Sequence, residues 1–233
     1  MRHLIAFVLM AFLTTSSHSQ QIEVGAFAGG ANFIGDVGKT NYILPNTPVG
    51  GLIAKWNRSP RHALRLSLLY AKIAADDEKS ADTRRQQRGY SFENTIAEAS
   101  LGLEFNFFEF DLTNPLPQST PYLYTGITYF RADHIYLENG RANNLVNQNG
   151  ANWEFAIPMV MGYKEAVTEH IIGAIEIGAR YTLTDNLDGS WPEEYLGRRE
   201  PAAEFGNRNT NDWYVFTGIT FTFTFGRKPC YCF

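Results

Sequence analysis

The sequence predicts an all-β fold, an eight-stranded up-and-down transmembrane β-barrel with an N-terminal signal peptide. Three observations lead to this class. Apolar and polar residues alternate with period two along eight segments, long and short connections alternate between those segments, and aromatic residues make up 14% of the chain. A composition rich in aromatic residues favours strands over helices.

The first residues of the chain predict export. Met1-Arg2-His3 is basic, residues 4–13 form an apolar core, and Ser17-His18-Ser19 places small residues at the two positions that signal peptidase reads. The apolar core is too short to span a bilayer as a helix, and no second apolar run of that length follows. We therefore predict a signal peptide at residues 1–19, a barrel at 20–226 and a periplasmic C-terminal tail at 227–233.

Several of the eight period-two segments have the length that a tilted membrane-spanning strand needs, about 9–11 residues. Soluble strands are commonly shorter, about 5–6 residues. The segments run from Ile22 to Phe33, Pro48 to Asn57, Ala63 to Ile73, Phe92 to Phe110, Tyr122 to Arg131, Asn152 to Tyr163, His170 to Leu183 and Asp212 to Phe225.

The connections alternate in length along the chain. Longer connections follow the odd-numbered segments, at residues 34–47, 74–91, 132–151 and 184–211, whereas shorter ones follow the even-numbered segments. Outer-membrane barrels have this arrangement, with longer loops outside the cell and short turns in the periplasm. With an even number of strands, both termini are expected on the periplasmic side.

Each segment has one apolar face and one face of charged and small residues. In the third segment three leucines and Tyr70 oppose Arg65 and Ser67. A secreted sandwich shows the same alternation, but strand length and loop alternation favour a barrel whose apolar face meets lipid. Because an eight-stranded lumen is only wide enough for side chains, we predict a buried network of ion pairs inside it. Its predicted members are Lys55, Arg65, Glu98, Glu104, Glu154, Glu176 and Arg180.

Basic residues on the short connections predict a basic periplasmic rim. The contributing segments are Arg58 to Arg61, Lys164 to Glu169, and Arg227 with Lys228 in the tail. Such a rim suits an acidic protein surface and suits lipid phosphates equally well.

Cys230 and Cys232 are the only two cysteines, and both lie in the predicted tail. Residues two apart in an extended chain are near the upper limit of disulfide geometry, and free thiols are unusual in the oxidising periplasm. Three alternatives stay open: an intermolecular disulfide to a periplasmic partner, a strained bridge or thiol pair within the tail, and a metal pair. We assign Cys230, Cys232, Arg227 and Lys228 to partner binding.

The remaining composition argues against several function classes. The chain has 20 Lys and Arg against 24 Asp and Glu, so it lacks the basic footprint that nucleic acid requires. His134 beside Asp133 has no nucleophile placed near it, and Asp185 and Asp188 resemble the start of a calcium loop whose twelfth-position acid is missing. We therefore predict no catalytic residue, cofactor or metal, and we interpret the aspartate segment as a turn.

Four stretches resemble the PorG family of Bacteroidetes outer-membrane proteins, in the same order and over nearly all of the predicted mature chain. They are EVGAFAGGANFIGDVG (23–38), YSFENTIAEASLGLEFNFFEF (90–110), PYLYTGITYF (121–130) and NDWYVFTG (211–218). The resemblance implies a non-enzymatic part of the type IX secretion and gliding apparatus. It implies as partners a periplasmic ring lipoprotein and that lipoprotein's partner protein, which the barrel ties to the outer membrane.

The alternative function is a small surface barrel that acts as an adhesin or receptor. In that case the long external loops, rather than the periplasmic turns and the tail, would make the functional contact.

Overall fold

Eight antiparallel strands form one closed barrel in the computed structural model of the protein, which describes residues 21–112, 116–133, 135, 151–190, 205–207 and 210–225. The strands follow chain order around the barrel, and β1 closes it by pairing with β8. The predicted all-β class and the eight strands in up-and-down order are confirmed. The strands are β1 Gln21–Ile34, β2 Thr47–Ser59, β3 His62–Asp76, β4 Ser91–Asn106, β5 Ser119–Asp133, β6 Ala151–Ala166, β7 Ile171–Thr182 and β8 Trp213–Phe225.

The barrel has two unlike ends. We call the end that carries the connections β1–β2, β3–β4, β5–β6 and β7–β8 the long-loop end, and the opposite end the short-turn end. Most strand boundaries shift by one to four residues from the prediction. Among them, β4 ends at Asn106 rather than Phe110, and β6 continues to Ala166 rather than Tyr163. The second difference moves Lys164 from a turn into a strand. The predicted signal peptide and the predicted tail lie outside the described residues.

The connection between β3 and β4 contains helical structure where the sequence predicts only a long loop. A 3₁₀ turn spans Asp77–Lys79, and a short helix, α1, spans Thr83–Arg88. The Asp82 side chain caps the start of α1, and Gly89 ends the helix with a left-handed φ of 67°. No helix in the described part of the chain is long and apolar enough to cross a membrane.

The outer surface of the barrel is an apolar belt. Leu64, Leu66 and Leu68 on β3 are 40–49% exposed, because period-two alternation points every second side chain away from the lumen. Aromatic pairs border the belt near the long-loop end, where the rings of Tyr129 and Trp153 stack at 5.1 Å. Aromatic residues also border it at the short-turn end, where Phe223 and Phe225 lie 4.8 Å apart. An apolar belt between two aromatic borders is typical of barrels that span a membrane.

The lumen is filled by side chains and differs between its two halves. Near the long-loop end it holds an apolar core that includes Phe33, Phe92, Phe130 and Phe216, each at most 4% exposed. Near the short-turn end it holds charged and hydroxyl side chains instead. The buried charged residues of the strands are Glu23, Lys55, Arg65, Glu98, Glu104, Lys164, Glu176 and Arg180.

One ladder of the barrel is interrupted. Strands β5 and β6 pair at Thr125 with Met159 and again at Thr128 with Ala156, and the residues between these pairs do not register. Pro158 lies in this gap and has no N–H to donate to the neighbouring strand, which explains the break.

Candidate functional site

The lumen charges form two groups, and the larger one is centred on Glu104. Lys55 Nζ lies 2.8 Å and Lys164 Nζ lies 2.7 Å from the Glu104 carboxylate, and all three side chains are at most 1% exposed. Arg65 Nη1 lies 3.7 Å from the same carboxylate. Because β2, β3, β4 and β6 each contribute one member, this group links four strands across the lumen.

Arg65 connects Glu104 to a second carboxylate, Glu176. Its Nη1 and Nη2 atoms donate to the two Glu176 oxygens at 2.8 Å each, which is the bidentate geometry that only arginine provides. The Tyr122 hydroxyl donates to Glu176 Oε2 at 2.6 Å, and the guanidinium lies 4.8 Å from the centre of the Tyr124 ring. Gly162 makes room for this arrangement, since a Cβ there would overlap the Tyr122 ring.

The second group lies nearer the middle of the barrel. Arg180 Nη2 donates to Glu98 Oε1 at 3.0 Å, and the Tyr214 hydroxyl donates to Glu98 Oε2 at 2.8 Å. The Arg180 guanidinium lies 4.3 Å from the centre of the Phe216 ring, where the polar and apolar halves of the lumen meet.

The structure therefore brings six of the seven predicted lumen residues into these two groups. Glu154, the seventh, is only partly buried and lies nearer the long-loop end of β6. Two further buried charges of the lumen, Lys164 and Glu23, were absent from the predicted set. Glu23 is fully buried and accepts hydrogen bonds from Asn57 at 2.8 Å and from Thr222 at 2.9 Å.

The prediction that Lys164 contributes to a basic rim is wrong. Its side chain is fully buried in the lumen, because β6 continues past it and preserves the inward face that Val160 and Gly162 share. Extending the period-two pattern of β6 from Gly162 by two residues identifies Lys164 as inward-facing. With Lys164 and Glu23 included, the buried charges of the strands comprise four cations and four carboxylates.

The lumen is thus filled by side chains and balanced in charge. Seven of the eight ionic groups lie in ion pairs, and Glu23 instead accepts hydrogen bonds from Asn57 and Thr222. The apolar core fills the remaining length of the lumen. Among the described residues, no group of three or more His, Cys, Asp or Glu side chains is placed to hold a metal ion. The predicted partner-binding residues Cys230, Cys232, Arg227 and Lys228, and also His134, lie outside the described residues.

The short-turn end carries exposed apolar side chains on a segment whose backbone is held by hydrogen bonds. Phe108 is 63% and Leu116 is 66% exposed, on the segment that joins β4 to β5. Beneath them Phe110 is buried, with its ring centre 4.9 Å from Lys164 Nζ. Asp111 N donates to the Gln118 side chain at 2.8 Å, and that side chain donates back to Asp111 O at 2.7 Å, which closes the segment on itself.

Comparison with known proteins places the chain in a family. The family model described as a domain of unknown function, DUF6089, matches residues 2–233. The chain belongs to the DUF6089 family. Among curated proteins, none matches this DUF6089 chain in sequence. The resemblance to the PorG family stays a prediction.

Three solved structures are similar to this DUF6089 chain. Ail, the attachment invasion locus protein of Yersinia pestis, has a TM-score of 0.48 and 6% identity over 89% of this chain and 100% of that chain. The N-terminal β-barrel domain of Pseudomonas aeruginosa OprF has a TM-score of 0.44 and 13% identity, over 89% of this chain and 100% of that chain. The outer membrane protein OprG from Pseudomonas aeruginosa has a TM-score of 0.45 and 8% identity, over 90% of this chain and 97% of that chain.

Proposed function

We propose that the chain is an outer-membrane barrel that acts as a non-enzymatic anchor. It fixes a periplasmic, lipoprotein-containing ring of the type IX secretion machinery to the membrane. The observation that carries this proposal is the pairing of an apolar outer belt with a closed, charge-balanced lumen. A barrel of this kind holds a position in a membrane without conducting or reacting.

The outer belt supports the location in the outer membrane. Exposed leucine, isoleucine and phenylalanine side chains surround the barrel, including Ile127 at 64% and Ile175 at 63%. Monomeric soluble proteins rarely expose contiguous apolar patches of more than a few hundred Å². With long loops outside the cell, as in other outer-membrane barrels, the short-turn end faces the periplasm.

The short-turn end supports the role of an anchor. Phe108 and Leu116 project from a segment whose backbone is tied to the barrel, since Phe110 N donates to Pro60 O at 3.0 Å and Phe108 N donates to Thr120 Oγ1 at 2.9 Å. Aromatic side chains on a rigid support are favoured at protein interfaces, because little conformational entropy is lost when a partner binds. The identity of the partner rests on the four stretches that resemble the PorG family.

Site-specific photo-crosslinking in intact cells tests this proposal. A benzophenone amino acid replaces Phe108, and the matched control replaces Phe221, which is 55% exposed within the lipid-facing belt. We expect the Phe108 position to capture a periplasmic lipoprotein of the secretion ring and the Phe221 position to capture no protein. Cells that secrete normally but give no protein adduct at either Phe108 or Leu116 would contradict the anchor.

The tail is tested separately by exchanging Cys230 and Cys232 for serine. If the intermolecular disulfide exists, the exchange removes a reductant-sensitive adduct from non-reducing gels of the outer membrane. A wild-type chain that runs only as a monomer on those gels excludes the covalent link and leaves the contact at Phe108 standing.

A groove at the long-loop end favours the second candidate function, a surface adhesin or receptor. It has a volume of about 550 Å³, which is within the size range of small-molecule sites. Its walls combine amides, charges and an apolar edge: Asn41, Asn46, Lys39, Lys79, Asp76, Glu93 and Leu44 all line it. The mixed lining suits a polar ligand that also has an apolar face.

Filling the groove separates the two functions. Asn41→Trp places an indole in the groove without touching the short-turn end. Tyr42→Trp is the matched control, because Tyr42 is 77% exposed on the same loop and does not line the groove. An anchor keeps normal secretion in both variants. If the chain is a receptor, cells lose binding of its external ligand in the Asn41→Trp variant and keep it in the Tyr42→Trp variant.

A further inference from the structure

Four carboxylates meet at the long-loop end, outside the lumen groups. Asp36 follows β1, Asp185 and Asp188 follow β7, and Asp212 precedes β8. Asp188 and Asp212 are at most 1% exposed. Asp36, Asp185 and Asp188 each raise the pKa of at least one other member, and all three raise that of Asp212, so the four lie within electrostatic range. Among the described residues, none of the four forms an ion pair.

These carboxylates tie the first loop to the last one through main-chain donors. Asp188 Oδ2 accepts from the N–H groups of Asp36 at 3.0 Å and Val37 at 3.2 Å, which lie 152 and 151 residues away in the sequence. In return, Asp36 accepts from Asn207 N at 3.0 Å. Asp212 Oδ2 accepts from Leu187 N at 2.9 Å. The loops are thus joined by acceptors that all carry a negative charge when ionised.

The described arginines nearest the cluster contact main-chain oxygens or other carboxylates, not the four carboxylates themselves. Arg88 pairs with Asp77 at 2.7 Å and donates to the main-chain oxygen of Asp36 at 2.7 Å. Arg85 donates to two further main-chain oxygens of that loop, and Arg131 at the end of β5 lies 3.4 Å from Asp133. No described cation therefore neutralises the cluster.

Two carboxylate oxygens in the cluster have no donor. The Oδ1 atoms of Asp185 and Asp212 are buried and accept no hydrogen bond. An ionised carboxylate only accepts hydrogen bonds and is costly to bury without donors. The missing donors therefore disfavour the ionised forms of Asp185 and Asp212.

The electrostatics agree with this geometry. Burial raises the pKa of Asp188 to about 6, and burial together with Asp36 and Asp188 raises the pKa of Asp185 to about 7. Burial and the charge of Asp188 raise the pKa of Asp212 well above its usual range. A raised carboxyl pKa stabilises the folded loops fully below the ordinary pKa of about 3.9 and loses that contribution as the pH rises through the folded value.

We propose that Asp36, Asp185, Asp188 and Asp212 form a proton-operated latch, which holds the first and last loops together over the barrel mouth in acid and releases them near neutral pH. Ionisation places mutually repelling charges on the acceptors that join the two loops. Release uncovers Val37 and Leu187, which are at most 2% exposed and cover the apolar half of the lumen. The latch stands independently of the anchoring function.

Hydrogen exchange tests the latch in the refolded full-length protein, in non-ionic detergent with EDTA. The readout is the protection of the amides of Val37, Leu187, Ser190 and Asn207, corrected for the intrinsic pH dependence of exchange. We expect protection to fall at least tenfold between pH 5 and pH 8, since the pKa values of Asp188 and Asp185, about 6 and about 7, lie in this interval and one pKa unit corresponds to a tenfold change. Amides in the middle of the strands should keep constant protection.

Isosteric variants identify the titrating groups. The double variant Asp185→Asn and Asp212→Asn should lose the pH step, because both positions become permanently neutral while the new amide at position 212 keeps an oxygen to accept from Leu187. Asp36→Asn alone should reduce the step. The matched control Asp82→Asn lies at the same end and keeps its helix-capping ability, so it should behave as the wild type.

Constant protection in the wild type between pH 5 and pH 8 would overturn the latch. So would a full pH step in both the double variant and Asp36→Asn, since other groups would then be titrating. If the double variant shows low protection at every pH, the comparison of Asp36→Asn with the wild type decides.

Discussion

Two sets of buried carboxylates in this barrel are stabilised in opposite ways. Inside the lumen, Glu104 and Glu176 contact lysine and arginine side chains at 2.7–2.8 Å. At the long-loop end, Asp188 and Asp212 are equally buried but accept main-chain N–H groups and pair with no cation among the described residues. Strands can supply matched charges at fixed heights around a closed wall, whereas loops here supply amides. The carboxylates of the lumen are therefore stabilised in the ionised form, whereas those at the long-loop end are expected to change charge with pH.

The largest effect is expected from Glu104→Gln, which leaves Lys55 and Lys164 in the lumen without their shared counter-charge. Removing one partner of a buried ion pair costs about 3–5 kcal/mol. The free energy of unfolding, measured by urea titration of the refolded protein in lipid vesicles, should fall by that amount. Adding Lys164→Met should recover part of the loss, because it removes one unpaired charge. A double variant no more stable than Glu104→Gln would contradict charge balance as the cause.

A smaller effect on the same region is expected from Tyr122→Phe. This change removes the hydroxyl that donates to Glu176 at 2.6 Å and leaves the ring in place against Gly162. Hydrogen bonds to charged groups contribute about 1.5–3 kcal/mol. The same urea titration should show a loss in this range, and Tyr163→Phe is the control, since that hydroxyl donates to Ser119 on the exposed surface.

At the mouth, the isosteric change Asp188→Asn should act locally. An asparagine has one acceptor oxygen, so it cannot satisfy the donors that reach both Asp188 oxygens, namely Asp36, Val37 and Ser190. Leaving a buried N–H unsatisfied costs about 1–3 kcal/mol. Hydrogen exchange should report this loss at Val37 and Ser190, while global unfolding in urea stays unchanged. A global loss as large as that of Glu104→Gln would remove the distinction between the two regions.

The smallest effect is expected from Lys72→Met on β3. Lys72 pairs with Glu93 at 2.6 Å, but both side chains are about half exposed, and surface ion pairs contribute roughly 0–1 kcal/mol. Because Lys72 lies on the same strand as Arg65, it is a matched control for burial. A cost above that range would show that burial does not explain the difference between the lumen and the surface.

The sequence predicts the barrel well because strand alternation is a local signal. Arg65 and Glu104 are recognisable as inward-facing from their immediate neighbours, and Lys164 becomes so once β6 is extended to Ala166. The short helix Thr83–Arg88 also has local signals, with Asp82 before it and Gly89 after it. The latch has none, since Asp36 meets Asp188 only after the barrel closes and brings β1 beside β8. Which lysine pairs with which glutamate likewise depends on the register between strands.

Accessibility along β3 tests the central claim most directly. Single nitroxide labels are placed from Leu64 to Ala71 in a chain without its native cysteines, reconstituted in lipid, and probed with oxygen and with a water-soluble paramagnetic complex. We predict that Leu64, Leu66, Leu68 and Tyr70 are accessible to oxygen, and that the alternate positions are accessible to neither probe. Alternate positions accessible to the water-soluble probe would mean an open aqueous lumen. The same result at the leucines would mean that the belt does not face lipid, and either outcome would contradict the account.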